Sequence, residues 1–389
     1  MKEIYLDNNA TTRVDDAVFE EMRPYFTELY GNPSSMHFFG GQVQKKVDEA
    51  RARVAKLLGA LPEEIIFTAC GTESDNSAIR SALEAFPEKR HVITSRVEHP
   101  AVLTVCRNLV KRGYRVTEVG VDSAGRLDMD ELKRAVDDET AIVSIMWANN
   151  ETGVVFPVEE VGAIAKERGA LFHTDAVQAV GKIPINMAAS TVDMLAISGH
   201  KLHAPKGIGA LYLRKGTPFR PFMVGGHQEK NRRAGTEATT SIIALGKACE
   251  VAAQWMDDEN TRVKALRDRL EAELLRIIPA ARINGGGAER LPNTVSIAFE
   301  FVEGEAILLL LSEKGICASS GSACTSGSLE PSHVLRAMGV PFTCAHGSIR
   351  FSLSRFTTEA EIDAVIREMP PIIQRLREIS PFGRELIKK

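Results

Sequence analysis

The sequence predicts an α/β fold with a mostly parallel sheet, and three observations lead there. Short apolar runs alternate with amphipathic helical stretches through the first 255 residues. Polar residues of several chemical types cluster just past the ends of those runs. After Trp255 the alternation stops and a different pattern takes over.

Seven runs read as buried strands: EIIFTA (64–69), HVITS (91–95), YRVTEVG (114–120), AIVSIMW (141–147), ALFHTDA (170–176), VDMLAIS (192–198) and GALYLR (209–214). Between them lie helical patterns. GQVQKKVDEARARVAKLLGA places Val43, Val47, Ala50, Val54, Leu57 and Leu58 on one face, and further helices read over 74–86, 100–112, 158–168 and 239–255. Beyond Trp255, DDENTRVKALRDRLEAELLRII reads as a long charged helix. NTVSIAFE and SIRFSLS read as antiparallel strands, with helices at 303–314, 331–338 and 358–378. The expected organisation is a large domain over 15–255 and a smaller α+β domain built from 1–14 and 256–389.

Composition bounds the function. The 389 residues carry 48 Lys+Arg and 51 Asp+Glu, mixed along the chain, for a net charge of −3. No basic block points to nucleic acid and no polybasic or amphipathic patch to a membrane. The most apolar run, Ala306–Leu311, is too short to span a bilayer. MKEIYLDNNATT turns polar too soon for a signal peptide, so the six scattered cysteines read as reduced thiols in a cytoplasmic protein. His200-x-x-His203 and Cys317…Cys324 match neither CxxC nor HExxH, so no metal is expected. The Gly225-Gly226 and Gly285–Gly287 stretches lack the GK[ST] ending of a nucleotide loop.

In a parallel sheet the active site lies outside the carboxyl ends of the strands. Those ends carry Gly71 and Thr72, Glu98 and His99, Asn149 and Asn150, Asp175 and Gln178, and Ser198, His200 and Lys201. A lysine partly desolvated beyond a buried strand can form a Schiff base, and a carboxylate at a neighbouring strand end could hold a protonated pyridine nitrogen. Lys201 and Asp175 fit the pair that a pyridoxal phosphate site needs. Gly71 and Thr72, at a strand-to-helix turn, offer backbone N–H groups to an anion, and Ser198 and His200 could add donors. His99 could stack on a pyridine ring and shuttle protons. Asn150 and Gln178 suit a phenolic oxygen or a substrate carboxylate, and Arg350 in GSIRFSLS could grip a carboxylate with two hydrogen bonds. Each has an ordinary reading when taken singly. Lys201 could be a solvated loop lysine, Asp175 or Thr72 a helix cap, and Arg350 a surface strand residue.

The motifs YLDNNATT, FTACGTESDN, EHPAV, NNETG, HTDAVQAVGK, SGHKLHAPKGIGALY, RRAGTE, SSGSACTSGSLEPSHVLRAMG and HGSIRFSLS follow in one order over nearly the whole chain. In this the sequence resembles the NifS-type cysteine desulfurases, in the class V aminotransferase group of fold-type I pyridoxal phosphate enzymes. GSLEPSHVLRAMGV and an end soon after SPFG look more like the nitrogen-fixation branch. The resemblance implies a seven-stranded, mostly parallel sheet flanked by helices. It implies that Lys201 bonds the cofactor covalently, Asp175 pairs with its ring nitrogen, Gln178 meets its phenolic oxygen and His99 stacks on it. Gly71, Thr72, Ser198 and His200 would bind its phosphate. Thr236 would reach the phosphate of a partner subunit, making a homodimer with shared sites. Asn150 and Arg350 would orient the substrate carboxylate, with Asn8 and Asn32 in loops nearby. Relatives usually carry a small residue where this chain has Cys70.

SSGSACTSGS (319–328) then acquires a purpose. As the resemblance implies, Cys324 attacks the sulfur of L-cysteine, retains it as a persulfide and passes it to an Fe–S scaffold protein of the NifU or IscU kind. Cys324 could also be a transient Fe–S ligand. A loop of small residues (about 317–332), with Gly321 and Gly327 as hinges, is expected to carry the thiol between those two places, and His99 could assist its deprotonation. Two rivals stay open: a selenocysteine lyase or class V aminotransferase of the same fold, and a non-catalytic Fe–S or sulfur carrier.

Overall fold

The structure is a computed structural model and describes residues 3–320 and 331–381. All seven expected runs form strands of one sheet. Across it the order is Ile65–Thr68, Gly209–Leu213, Met194–Ser198, Leu171–Asp175, Thr140–Ser144, His91–Ser95, Arg115–Val119. Five consecutive strands, Met194–Ser198 to Arg115–Val119, are parallel to one another, while Gly209–Leu213 runs antiparallel to both of its neighbours. Every residue of five of these strands is buried, as expected of a sheet covered on both faces.

The helices fall where apolar periodicity placed them: Phe38–Leu58, Gly71–Ala85, Pro100–Lys111, Val158–Glu167 and Thr239–Gln254. Phe38–Leu58 buries Val43, Val47, Ala50, Val54 and Leu58, ending at Gly59 in the left-handed conformation. It packs on Thr239–Gln254 so closely that a Cβ at Gly246 would lie 2.5 Å from the Ala50 Cα. The short helices Asp16–Met22 and Met129–Ala135 carry no clear sequence signature, because their 7 residues each hold too little of a period to stand out.

Beyond Trp255 the predicted charged helix forms without a break in helical backbone. A π-helical stretch, Glu259–Val263, precedes Lys264–Ile277. Thr294–Phe299 pairs antiparallel with both Ser348–Ser352 and Ala281–Ile283. Against this sheet pack Lys264–Ile277, Gly304–Glu313 and Glu359–Ile379, closing a second core that takes in Leu6, Leu270, Phe299, Phe351 and Met369. The N-terminal arm joins the two parts: Ile4–Tyr5 pairs with Ile316–Cys317, and the Asn8 N–H donates to the Ser352 carbonyl at 3.2 Å. Val334, Leu335, Met338 and Cys344 pack with the core of the large sheet instead of the second one.

Candidate active site

One cavity of about 360 Å³ gathers most of the expected residues at the carboxyl edge of the large sheet. Its walls include Gly71, Thr72, His99, Asn150, Asp175, Gln178, Ser198, His200 and Lys201, and Arg350 enters from the second sheet. They come from five different strand ends of the large sheet, with Arg350 from the second sheet, which is how a parallel sheet assembles a site from distant sequence.

Lys201 ends a short 3-10 turn that directly follows Met194–Ser198. Its Nζ donates to the carbonyls of Asn9 at 2.5 Å and Ala10 at 2.7 Å, so the N-terminal arm orients the amine. Thr12 secures the same arm, its hydroxyl donating to the His200 carbonyl at 2.9 Å. Asp175 closes strand Leu171–Asp175 and accepts the Val177 N–H at 2.9 Å. Burial pushes its carboxyl up, and His99, the Val177 N–H and Lys201 pull it back. A cationic ring N–H would complete that offset.

His99 caps helix Pro100–Lys111, its Nδ1 accepting the Ala101 N–H at 3.1 Å. Burial holds the ring below its ordinary pKa, and the positive charge of Lys201 adds to this. The hydrogen bond therefore assigns a neutral tautomer with its proton on Nε2. In this geometry His99 offers a donor, and its one lone pair is committed to the helix.

Helix Gly71–Ala85 begins after Cys70 without a side-chain cap, so its first N–H groups face the cavity edge. Gly71 fills a slot that nothing larger fits: a Cβ there would lie 2.8 Å from Val177 Cγ2 and 3.3 Å from Ser198 Cβ. His200 spends Nδ1 on the Thr11 hydroxyl at 3.1 Å, and burial pushes its pKa down to about 4, keeping it a neutral donor. Helix N-terminus, hydroxyls and a neutral imidazole together suit a phosphate. Gln178 donates from Nε2 to the Asn9 carbonyl at 3.0 Å, while its buried Oε1 has no partner among the described residues. That orphaned acceptor, the slot at Gly71 and the pairing of Lys201 with Asp175 together fit pyridoxal phosphate.

Arg350 is buried on strand Ser348–Ser352, with Nη1 on the Asn150 carbonyl at 2.9 Å and Nη2 on Asp7 at 2.9 Å. Its Nε is buried without a partner among the described residues, and the residue lines the cavity with guanidinium N–H groups still uncommitted.

Three expected residues lie away from the cavity. Asn8 sends its amide to the carbonyls of Ser352, at 2.8 Å, and Tyr5, and its neighbour Asn9 takes the place at the wall. The two are consecutive and both buried, but it is the Asn9 carbonyl that accepts from Gln178 and Lys201, a distinction no sequence pattern carries. Asn32 is exposed, its Oδ1 accepting the Ser34 N–H at 2.9 Å. Thr236 is also exposed and does not line the cavity of its own chain. Cys324, Gly321 and Gly327 lie outside the described residues.

Sequence reading missed Asp75, one helical turn beyond Gly71 and at the wall of the cavity. It is fully buried and pushed well up, first by burial and then by the charges of Asp175 and Glu98. Its Oδ1 lies 3.5 Å from His173 Nε2, yet burial drives His173 down to about 3. With His173 neutral, the contact is no ion pair. Cys70 does line the cavity. Among the described residues, no group of His, Cys, Asp and Glu could hold a metal, and no helix is long and apolar enough to cross a membrane.

The class-V aminotransferase family model matches residues 4–365. "Cysteine desulfurase 2" of Trichormus variabilis is 64% identical over 385 residues, covering 99% of this chain and 96% of its own. "Cysteine desulfurase NifS" of Azotobacter vinelandii is 61% identical over 383 residues, covering 98% and 95%. Among solved structures, a "NifS-like protein" superposes with a TM-score of 0.90 at 41% identity, covering 96% of this chain and all of that one.

Proposed function

Because this chain belongs to the class-V aminotransferase family, as a pyridoxal-phosphate-dependent cysteine desulfurase, we propose that Lys201 and Cys324 divide its chemistry between them. The convergence of Lys201, Asp175, His99 and an uncapped helix start on one cavity carries this reading. Gly71, Thr72, Ser198 and His200 would hold the cofactor phosphate, Asp175 its ring nitrogen and Lys201 its aldehyde carbon, with His99 against the ring and Gln178 at the phenolic oxygen. When bound, the cofactor accepts the electron pair released at the substrate α-carbon.

The rest falls to the chain. Arg350, steadied by Asp7 and the Asn150 carbonyl, grips the carboxylate of L-cysteine. The Lys201 amine, when free, would take the α-proton and return a proton to carbon. His99 Nε2–H stands as donor beside it. The Cys324 thiolate attacks the substrate sulfur and the carbon–sulfur bond breaks, its electron pair staying with the β-carbon, which is protonated. L-cysteine plus enzyme thiol thus become L-alanine plus enzyme persulfide. The outer sulfur then passes to an acceptor thiol on an Fe–S scaffold protein, and the likeness to NifS favours a scaffold serving nitrogenase.

We place the enzyme in the cytoplasm as a homodimer. Thr236 is exposed, and Ala234 beside it donates its N–H to the carbonyl of Met223, next to Val224, which is 82% exposed. An apolar patch at that point supports a subunit contact that would bring Thr236 to the partner's phosphate site.

The test is the visible spectrum of the purified protein, followed by assay of alanine and sulfide after adding L-cysteine and a reducing thiol. Equal yields of both products, with sulfide lost in Cys324→Ser and the cofactor absorbance lost in Lys201→Ala, would bear the proposal out. A fully active Cys324→Ser would keep the cofactor site and sink the persulfide route.

A further inference from the structure

We propose that Glu151, Ser332 and His333 form an anchor that positions the Cys324 thiol for attack on the substrate sulfur. This rests on the desulfurase reading above and adds positioning residues to it.

Cys324 lies outside the described residues, but the chain is described on both sides of it. Upstream, Ser319 exchanges two backbone hydrogen bonds with Arg350, at 3.1 and 2.6 Å, so this flank is fixed to the residue that would hold the substrate carboxylate. Downstream, the Ser332 hydroxyl donates to Glu151 Oε2 at 2.5 Å with both residues buried. The same hydroxyl oxygen accepts the Val334 N–H at 3.1 Å, capping the short helix His333–Ala337. The next residue, His333, puts Nε2 on the Glu98 carbonyl at 2.9 Å. Glu151 follows Asn150 in sequence and Glu98 precedes His99, so this flank rests on the neighbours of two cavity residues.

Helix capping does not explain Glu151. A serine caps a helix without help, and a carboxyl group buried for that purpose alone would cost more than the cap returns. Burial pushes this carboxyl up to about 7 against the opposing effects of the Ser332 hydroxyl and Arg350. The acid is held there with its hydrogen bond aimed at the downstream flank.

Cys324 is five residues from Ser319 and eight from Ser332, tethers of at most roughly 17 and 28 Å. Releasing the second flank as far as the buried Val334 lengthens that tether only slightly, which by chain statistics lowers effective concentration about twofold or less. Misplacing a reacting atom by 1 Å can cost about 100-fold. An anchor that sets geometry therefore predicts a loss between these, near tenfold, and one that merely shortens a tether does not.

Two readouts on the holoenzyme separate the possibilities. One is single-turnover persulfide formation on Cys324 from L-cysteine, followed by mass spectrometry. The other is exchange of the α-proton of L-alanine in deuterium oxide, which uses the cavity and not the thiol. Ser332→Ala is expected to slow the first about tenfold and leave the second within twofold, and Ser332→Thr, which keeps cap and donor, to restore it. His333→Phe, which leaves the serine intact, should slow persulfide formation severalfold and serves if Ser332→Ala folds poorly. Parallel loss of both reactions would mean that the anchor only supports the cavity wall, and a change of twofold or less in persulfide formation would also overturn the proposal. A wild-type enzyme that exchanged alanine but formed no persulfide would instead sink the desulfurase reading on which the anchor rests.

Discussion

Arg233 holds Glu73 with two hydrogen bonds, Nε to Oε1 at 2.8 Å and Nη2 to Oε2 at 3.2 Å. Glu73 Oε2 also accepts the Ala69 N–H at 2.8 Å, so the pair fastens the RRAGTE segment to the turn that begins helix Gly71–Ala85. Glu73 is largely buried and Arg233 partly so. Removing either partner leaves a charge with poor solvation, at a cost of about 1–3 kcal/mol. Arg233→Ala is expected to weaken cofactor binding about tenfold in a spectral titration of the apoprotein with pyridoxal phosphate. Unchanged affinity would mean that the turn holds its shape without the clamp.

Gly71 offers a sharper probe of the same turn. In Gly71→Ala the new methyl meets Val177 Cγ2 at 2.8 Å, a contact that must be relieved by movement. Overpacking of this kind costs about 1–3 kcal/mol. The loss should appear as weaker cofactor retention, and Val177→Ala in the same chain should recover much of it. Failure of the double variant to recover would place the cost in the backbone and not in the slot.

Arg350 lines the cavity while Asp7 and the Asn150 carbonyl each take one N–H of its guanidinium, leaving other N–H groups uncommitted. A lysine can supply charge but not the planar fork. Arg350→Lys is therefore expected to raise KM for L-cysteine tenfold or more, with a smaller fall in kcat. The visible spectrum without substrate should not change. A fall in kcat alone would argue that the arginine acts after binding.

The sheet was legible because its strands are buried on both faces and read as apolar runs, and the site because those runs end in polar residues along one edge. Lys201 and Asp175 could be found from that edge alone. Asn9 could not, since only the fold of the turn decides which of Asn8 and Asn9 reaches the cavity wall. Asp75 was hidden in a helix whose amphipathic pattern made it look like a solvated position, yet it is 1% exposed. The Ser332–Glu151 contact joins residues 181 apart in sequence; each sits in a motif, but nothing in either motif pairs one with the other. Val334 to Cys344 read as part of the second domain by position, but their packing against the large core is a long-range choice of shape that composition does not encode.

Glu98 carries a prediction about stability. It is fully buried, accepting Ser95 Oγ at 2.6 Å and the Met146 N–H at 2.9 Å on Oε1, while Oε2 has no partner among the described residues. Burial pushes its pKa up to about 8, against the lowering by those two donors. Below about pH 4.5 the group is protonated in both folded and unfolded chains and contributes nothing. Between about 4.5 and 8 the unfolded chain gives up the proton while the folded one keeps it, so stability falls as pH rises. Above about 8 both are ionised and the penalty stays constant. The buried histidines act in the opposite sense, since His173 and His203, both near 3, oppose folding only below about pH 6.5. Glu98→Gln mimics the protonated acid, keeping an acceptor oxygen for Ser95 and Met146. Relative to wild type it should gain of order 1–3 kcal/mol between pH 5 and pH 8, less than full burial implies because water and relaxation soften the cost. Urea unfolding of both proteins at the two pH values measures this. Equal pH dependence in the two would mean that Glu98 is ionised in the folded protein across the range, with its charge compensated inside the core.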